Sequence, residues 1–261
     1  MTYCLGMKLD AGMVFVSDSR TNAGVDNVGR FEKMRVFEKP GERVIVVLSA
    51  GNLSVTQNAL GLVEHLARKD PNAASFLNAT SMFEVAGALG NALREVQRRD
   101  GDYMRQNKID ASASFIVGGQ IAGEPTRLFL VYSEGNFIES SRETCYFQIG
   151  EIKYGKPILD RVLTRRTSLQ DAVKCALISF DSTMRSNISV GPPIDVLVVE
   201  SDALRVGITQ RLDEGDAYLT HIRNAWSDGL KRLYVQMPAP PWYGETPALQ
   251  QAAQQSQQQQ Q

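Results

Sequence analysis

The sequence predicts an α+β fold: two antiparallel sheets face to face, with helix pairs on the outside. Three observations predict it. The elements come in groups, running strands, two helices, strands, two helices, strands, one helix. Grouping of this kind argues against a doubly wound sheet, where strands and helices alternate singly. The run Val44-Ile45-Val46-Val47-Leu48 lacks the polar alternation of a half-solvated strand and reads as buried on both faces. Turn signals such as Asp10-Ala11-Gly12, Lys39-Pro40-Gly41-Glu42 and Glu134-Gly135-Asn136 separate short apolar runs, as antiparallel hairpins require.

In chain order, Tyr3–Leu9 and Met13–Ser17 form the first strand pair, and Met34–Phe37 with Arg43–Ser49 the second. After Ala50-Gly51-Asn52 the period changes. Leu60, Val63, Leu66 and Ala67 recur at helical spacing, then Phe83, Ala86, Leu89, Leu93 and Val96, with a loop around Asp70-Pro71-Asn72 between them. Strands return at Ala113–Val117, Arg127–Tyr132 and Tyr146–Ile149. A helix is expected over Lys156–Leu163. Thr167-Ser168-Leu169-Gln170 reads as a capping box for the next, with Thr167 accepting from the Gln170 amide. Ile194–Glu200 and Leu204–Ile208 form the last strand pair, and Ala217–Tyr234 the last helix. One domain over residues 2–236 is expected. From 237 to 261 the chain turns Pro- and Gln-rich, a composition that cannot pack a core and is expected to be disordered.

Composition narrows the function. The chain has 261 residues, 43% of them hydrophobic, and a net charge of −1, which gives no reason to expect nucleic acid or an anionic membrane as partner. There is no apolar run of the roughly 18 residues a membrane helix needs. Met1–Lys8 lacks the basic-then-apolar pattern of a signal peptide. Cys4, Cys145 and Cys175 are odd in number and unpaired in spacing, which fits a reducing, cytoplasmic location. The two histidines, His65 and His221, have no metal-ligand neighbours at short spacing, so no metal is expected. Neither GxxxxGK[ST] nor GxGxxG occurs, and no cofactor is expected.

Thr2 follows the initiator methionine. With Met1 removed, threonine would carry a free α-amine beside its hydroxyl. Such an amine titrates near ~7.7–8.0 and can act as the hydroxyl's own base. Ser17-Asp18-Ser19-Arg20 and Lys33 follow. Taken singly, Asp18 also reads as a turn residue, Lys33 as a solvated charge and Gly51 as a turn glycine.

Together, Thr2-Tyr3-Cys4, Asp10-Ala11-Gly12, Ser17 to Gly24, Lys33-Met34 and Ser49-Ala50-Gly51-Asn52 resemble the proteasome β-type subunits and the bacterial HslV protease, over roughly residues 2–236. The resemblance implies a four-layer αββα sandwich, the N-terminal nucleophile (Ntn) hydrolase fold, and a threonine that attacks amide carbonyls of peptides or related substrates. By motif position, Thr2 would be the nucleophile, Asp18 the buried carboxylate, Lys33 its ammonium partner and Gly51 the backbone donor to the oxyanion. Thr21, Asn22, Met34 and Leu53 would lie near the substrate pocket. The family assembles into rings, so a large homo-oligomer is implied, ring or helical. HslV relies on an ATPase, yet no segment here reads as a docking signal for one.

Two departures stand out. In the stretch Arg185–Gly191, Ser189 matches the family serine, but Ser186 falls where the aspartate would be. Before the third helix many relatives carry Gly-Ser-Gly, and here Glu151 follows Gly150. A carboxylate there would raise the pKa of the threonine amine and make it a poorer base, so weak or specialised peptidase activity is expected. The alternatives are a non-catalytic ring-forming scaffold and a small-substrate Ntn amidase.

Overall fold

The structure, a computed structural model, describes residues 2–22, 28–70 and 72–243. It forms two five-stranded antiparallel sheets with helices outside them. The first sheet has the order β10-β1-β2-β11-β12, with β1 Tyr3–Leu9, β2 Gly12–Asp18, β10 Tyr146–Gly150, β11 Ile194–Glu200 and β12 Ile208–Leu212. The second has the order β5-β6-β7-β8-β9, with β5 Met34–Lys39, β6 Arg43–Gly51, β7 Ala113–Ile121, β8 Arg127–Val131 and β9 Phe137–Glu139. A small hairpin pairs β3 Arg20–Asn22 with β4 Val28–Arg30.

β6 explains its own unbroken hydrophobicity. Val44, Val46 and Leu48 face the first sheet, in a core with Cys4, Met13, Phe15, Ile116 and Leu128. Ile45 and Val47 face the other way, among residues of helices α1 (Leu53–Lys69) and α2 (Met82–Gln106). Successive side chains of a strand point to opposite faces, and here both faces are covered. The sheets pack closely enough that a Cβ on Gly118 would sit 2.7 Å from Met13 Cε and from Phe15 Cζ. On the far side of the first sheet, Tyr3 packs on Phe180 of α4 (Leu169–Ser186), ring centroids 4.3 Å apart and the planes tilted by 30°.

Three expectations shift. The capping box moves by one residue. Ser168 caps α4 and accepts from the Asp171 amide, while Thr167 Oγ1 accepts from the Thr164 amide. The strand expected at Leu204–Ile208 begins only at Ile208, because Asp202 and Leu204 adopt positive φ and spend the segment on a turn. β3, β4 and β9 are three-residue strands, too short for periodicity to reveal. Helix α3 spans Lys156–Val162, close to its expected extent.

The chain parts into two compact units, one ending at Leu219 and the other beginning at Thr220. Both sheets belong to the first. The second holds the rest of helix α5 (Ala217–Gln236) and a 3₁₀ turn at Pro241–Tyr243. The reading of a disordered tail falls for its greater part, residues 244–261, outside the described residues. No helix among the described residues is long and apolar enough to cross a membrane.

Candidate active site

Thr2 stands at the head of β1, one residue before the first ladder pair, Tyr3 with Gly150. Pairing of β1 with β2 brings Cys4 opposite Ser17, so the end of β2 lies beside the start of β1. Asp18 is thereby brought next to Thr2's own peptide link. The Tyr3 N–H donates to Asp18 Oδ1 at 2.9 Å. Lys33 Nζ donates to the same oxygen at 2.7 Å and to the Arg20 carbonyl at 2.6 Å. Asp18 is fully buried and Lys33 is 4% exposed.

Burial pushes the Asp18 carboxyl above its ordinary range. The Lys33 charge, its hydrogen bond and the backbone N–H groups of Tyr3 and Gly191 act against that rise. A buried pair is held by mutual need: either partner left alone costs about 3–5 kcal/mol. Lys33 is fixed at its backbone too, its carbonyl accepting from the Ser49 N–H at 2.9 Å. Cys4, fully buried, has its thiol pushed up by burial, which excludes a thiolate here at neutral pH.

Gly51 closes β6 at φ +103°, where a Cβ would meet the Ser112 carbonyl oxygen at 2.3 Å. Only glycine fits, and that local demand holds whatever else its backbone does. Asn52 follows as the N-cap of α1, accepting from the Ser54 and Val55 amides. The electropositive end of that helix therefore begins beside Gly51.

On the other side, Gly150 has φ +85°, and its missing Cβ would lie 2.0 Å from the Thr2 carbonyl oxygen. The Glu151 N–H donates to that oxygen at 2.7 Å. The buried Glu151 carboxylate accepts from the Asn187 side-chain amide at 3.0 Å and from the Lys153 N–H at 3.3 Å. Asn187 is the C-cap of α4, and its Oδ1 accepts from the Ser189 N–H at 3.0 Å.

Asp18, Lys33 and the Thr2–Tyr3 link thus come together, as do Thr2 and Glu151. Ser189 is half-buried in the loop behind Asn187. Ser186 lies exposed on the last turn of α4, and its neighbour Asn187 is the residue that reaches Glu151. Met34 is half-buried against the core between the sheets, and Leu53 is half-buried at the first position of α1. Thr21 and Asn22 lie on β3, where only their backbone is described.

Sequence reading missed three contributors. Arg20 was visible in the motif. Its carbonyl holds Lys33, and its guanidinium donates to the Ile188 carbonyl at 2.9 Å. Asn187 stood in a quoted stretch but is neither acid nor hydroxyl. Ser179 had no local signal: it bonds the Tyr3 hydroxyl at 2.6 Å across 176 positions. A groove of about 700 Å³ between α1 and α2 lies elsewhere, and its Glu84 and Glu95 are committed to the Thr80 amide and Arg98.

The chain resembles solved structures along nearly its whole length. Anbu (ancestral beta-subunit) from Yersinia bercovieri is 47% identical, with 91% of this chain and 98% of that one covered, at a TM-score of 0.84. A structure described as the helical assembly of the Anbu complex from Pseudomonas aeruginosa is 46% identical, covering 93% and 100%, at 0.86. Anbu from Hyphomicrobium sp. strain MC1 is 44% identical, covering 91% and 99%, at 0.83. No protein-family model matches the chain, and no curated protein does. With such identity over such coverage, and two antiparallel sheets flanked by helices, the chain belongs to the Anbu family of proteasome-like β-subunits.

Proposed function

We propose that this protein is an N-terminal threonine hydrolase of peptide or related amide bonds, working within a large homo-oligomer. The observation that carries it is Asp18 Oδ1, shared at the bottom of the site between the Lys33 ammonium and the amide that follows Thr2. A non-catalytic scaffold has no need of a buried ion pair beside its first residues, and the burial cost argues for a use.

In this reading removal of Met1 frees the Thr2 α-amine. The amine takes the hydroxyl proton as Oγ attacks the substrate carbonyl carbon. The Lys33 charge favours the developing alkoxide, and Asp18 keeps Lys33 in place. The Gly51 N–H donates to the oxyanion, a contribution of about 3–4 kcal/mol for such a donor. Collapse breaks the C–N bond, the leaving amine takes the proton, and an ester remains on Thr2. Water then attacks the ester with the α-amine as base, releasing the acid and restoring the hydroxyl. No step needs a cofactor.

Met34 and Leu53, neighbours of Lys33 and Asn52, are proposed to border the substrate, with Thr21 and Asn22. The proteasome-type domain is taken as residues 2–236. The helical assembly named for the Pseudomonas aeruginosa relative supports self-association here. Comparison of Thr2→Ala with the wild type against a diverse peptide library tests the reading. Cleavage confined to the wild type is expected, and equal cleavage by both proteins would refute it.

A further inference from the structure

Glu151 is buried, and among the described residues no cation pairs with its carboxylate. Its residue is 8% exposed. Its side-chain partners among the described residues are neutral, the Asn187 amide and the Lys153 N–H. A buried ion is costly unless a counter-charge stands near. Yet the Glu151 backbone is bonded directly to Thr2, its N–H on the Thr2 carbonyl at 2.7 Å. Gly150 presses on the same residue, its would-be Cβ 3.3 Å from Thr2 Cβ. Removal of Met1 would put an ammonium at this point of the chain.

We infer that Glu151, held by Asn187, is a positioning residue that takes the Thr2 α-ammonium as its counter-ion. The inference rests on the proposed threonine chemistry and sets its pH dependence. Asn187 links Glu151 to the end of α4 and, through Ser189, to the loop on which Arg20 and Gly191 meet. The carboxylate is therefore held from two elements, α4 and its own loop.

The charged groups on the surrounding elements include Asp18 on β2, Lys33 at the head of β5, Arg20 on β3 and Lys153 beside Glu151, and on α4 the buried Asp181, the exposed Arg185 and the mutually paired Asp171 and Lys174. Asp18 and Lys33 offset each other at 2.7 Å. The Arg20 guanidinium is taken up by the Ile188 carbonyl. Lys153 and Arg185 are exposed and screened by solvent. Among the described residues, no cation pairs with the Glu151 carboxylate.

A nearby carboxylate favours the ammonium, so the amine becomes a competent base only at higher pH. The test uses the full chain with Met1 shown by intact mass to be absent, and a β-lactone as probe. Thr2 Oγ attacks the lactone carbonyl, the ring acyl–oxygen bond breaks, and the ring oxygen takes the hydroxyl proton by way of the α-amine. The acylation rate then rises with pH as the amine loses its proton.

Glu151→Gln is expected to move the midpoint of that rise down by about one pH unit. Glu151→Asp keeps the charge and is expected to leave the midpoint near the wild-type value. A merely structural role would not single out the variant that loses the charge. Should Glu151→Gln fail to fold, Glu151→Ala, which also removes the charge, is read in its place and is expected to give the same downward shift. Wild type acylated at Thr2 with the midpoint unchanged in the charge-removing variant overturns the inference and leaves the threonine reading standing. Wild type that is not acylated at Thr2 at any pH overturns both.

Discussion

At the scale of single residues, the core of the site is a charge placed where a protein can least tolerate it alone. Asp18 is fully buried, and Lys33 is nearly so. Lys33→Met would leave Asp18 without its counter-charge. A loss of about 3–5 kcal/mol in unfolding free energy is expected by urea denaturation, together with a roughly 10²–10⁴-fold loss of peptide cleavage. Adding Asp18→Asn to that variant removes the stranded charge. The double variant is expected to recover part of the stability and none of the activity. Recovery of both would mean that the pair serves folding alone. The pairing was expected only through the family resemblance that Thr2, Asp18 and Lys33 carry together, since singly Asp18 reads as a turn residue and Lys33 as a solvated charge. Asn187 was not, because an amide with no partner in sequence says nothing until α4 ends beside Glu151.

Among the elements, β1 and β10 set where Thr2 sits. Gly150 terminates the β10 ladder at a positive φ that other residues rarely adopt, with its α-carbon face against the Thr2 carbonyl. Gly150→Ala is expected to cost roughly 1–3 kcal/mol in unfolding free energy and to suppress β-lactone acylation of Thr2 by shifting that carbonyl. Retained acylation at the wild-type rate would show that the close packing does not position Thr2. The cap of α4 offers a separate check on the fold. Ser168→Ala removes the acceptor for the Asp171 amide and is expected to cost about 0.5–2 kcal/mol, whereas Thr167→Ala leaves that bond intact. The sequence showed that a cap existed within Thr167–Gln170 but could not choose between adjacent hydroxyls. β12 escaped for a related reason: its start depends on where the positive-φ turn at Asp202 and Leu204 releases the chain, and neither residue advertises that geometry.

For the molecule as a whole, grouping of elements and the two-faced burial of β6 were enough to read two stacked sheets with helices outside. They were enough because a strand buried on both faces needs a partner layer on each. The substrate and the assembly are a different matter, since neither leaves a periodic trace in one chain. The wild type is expected to sediment as a multimer in analytical ultracentrifugation, and a purely monomeric species at micromolar concentration would remove the assembly from the proposal. Everything in the proposed chemistry depends on one atom, Thr2 Oγ beside a free amine. The decisive measurement is peptide mapping by mass spectrometry after treatment of the purified chain with a β-lactone. A single acyl group on Thr2 is expected, on a chain that begins at that residue, with none on Thr2→Ala. Acylation elsewhere, or peptide cleavage by protein that retains Met1, would contradict it.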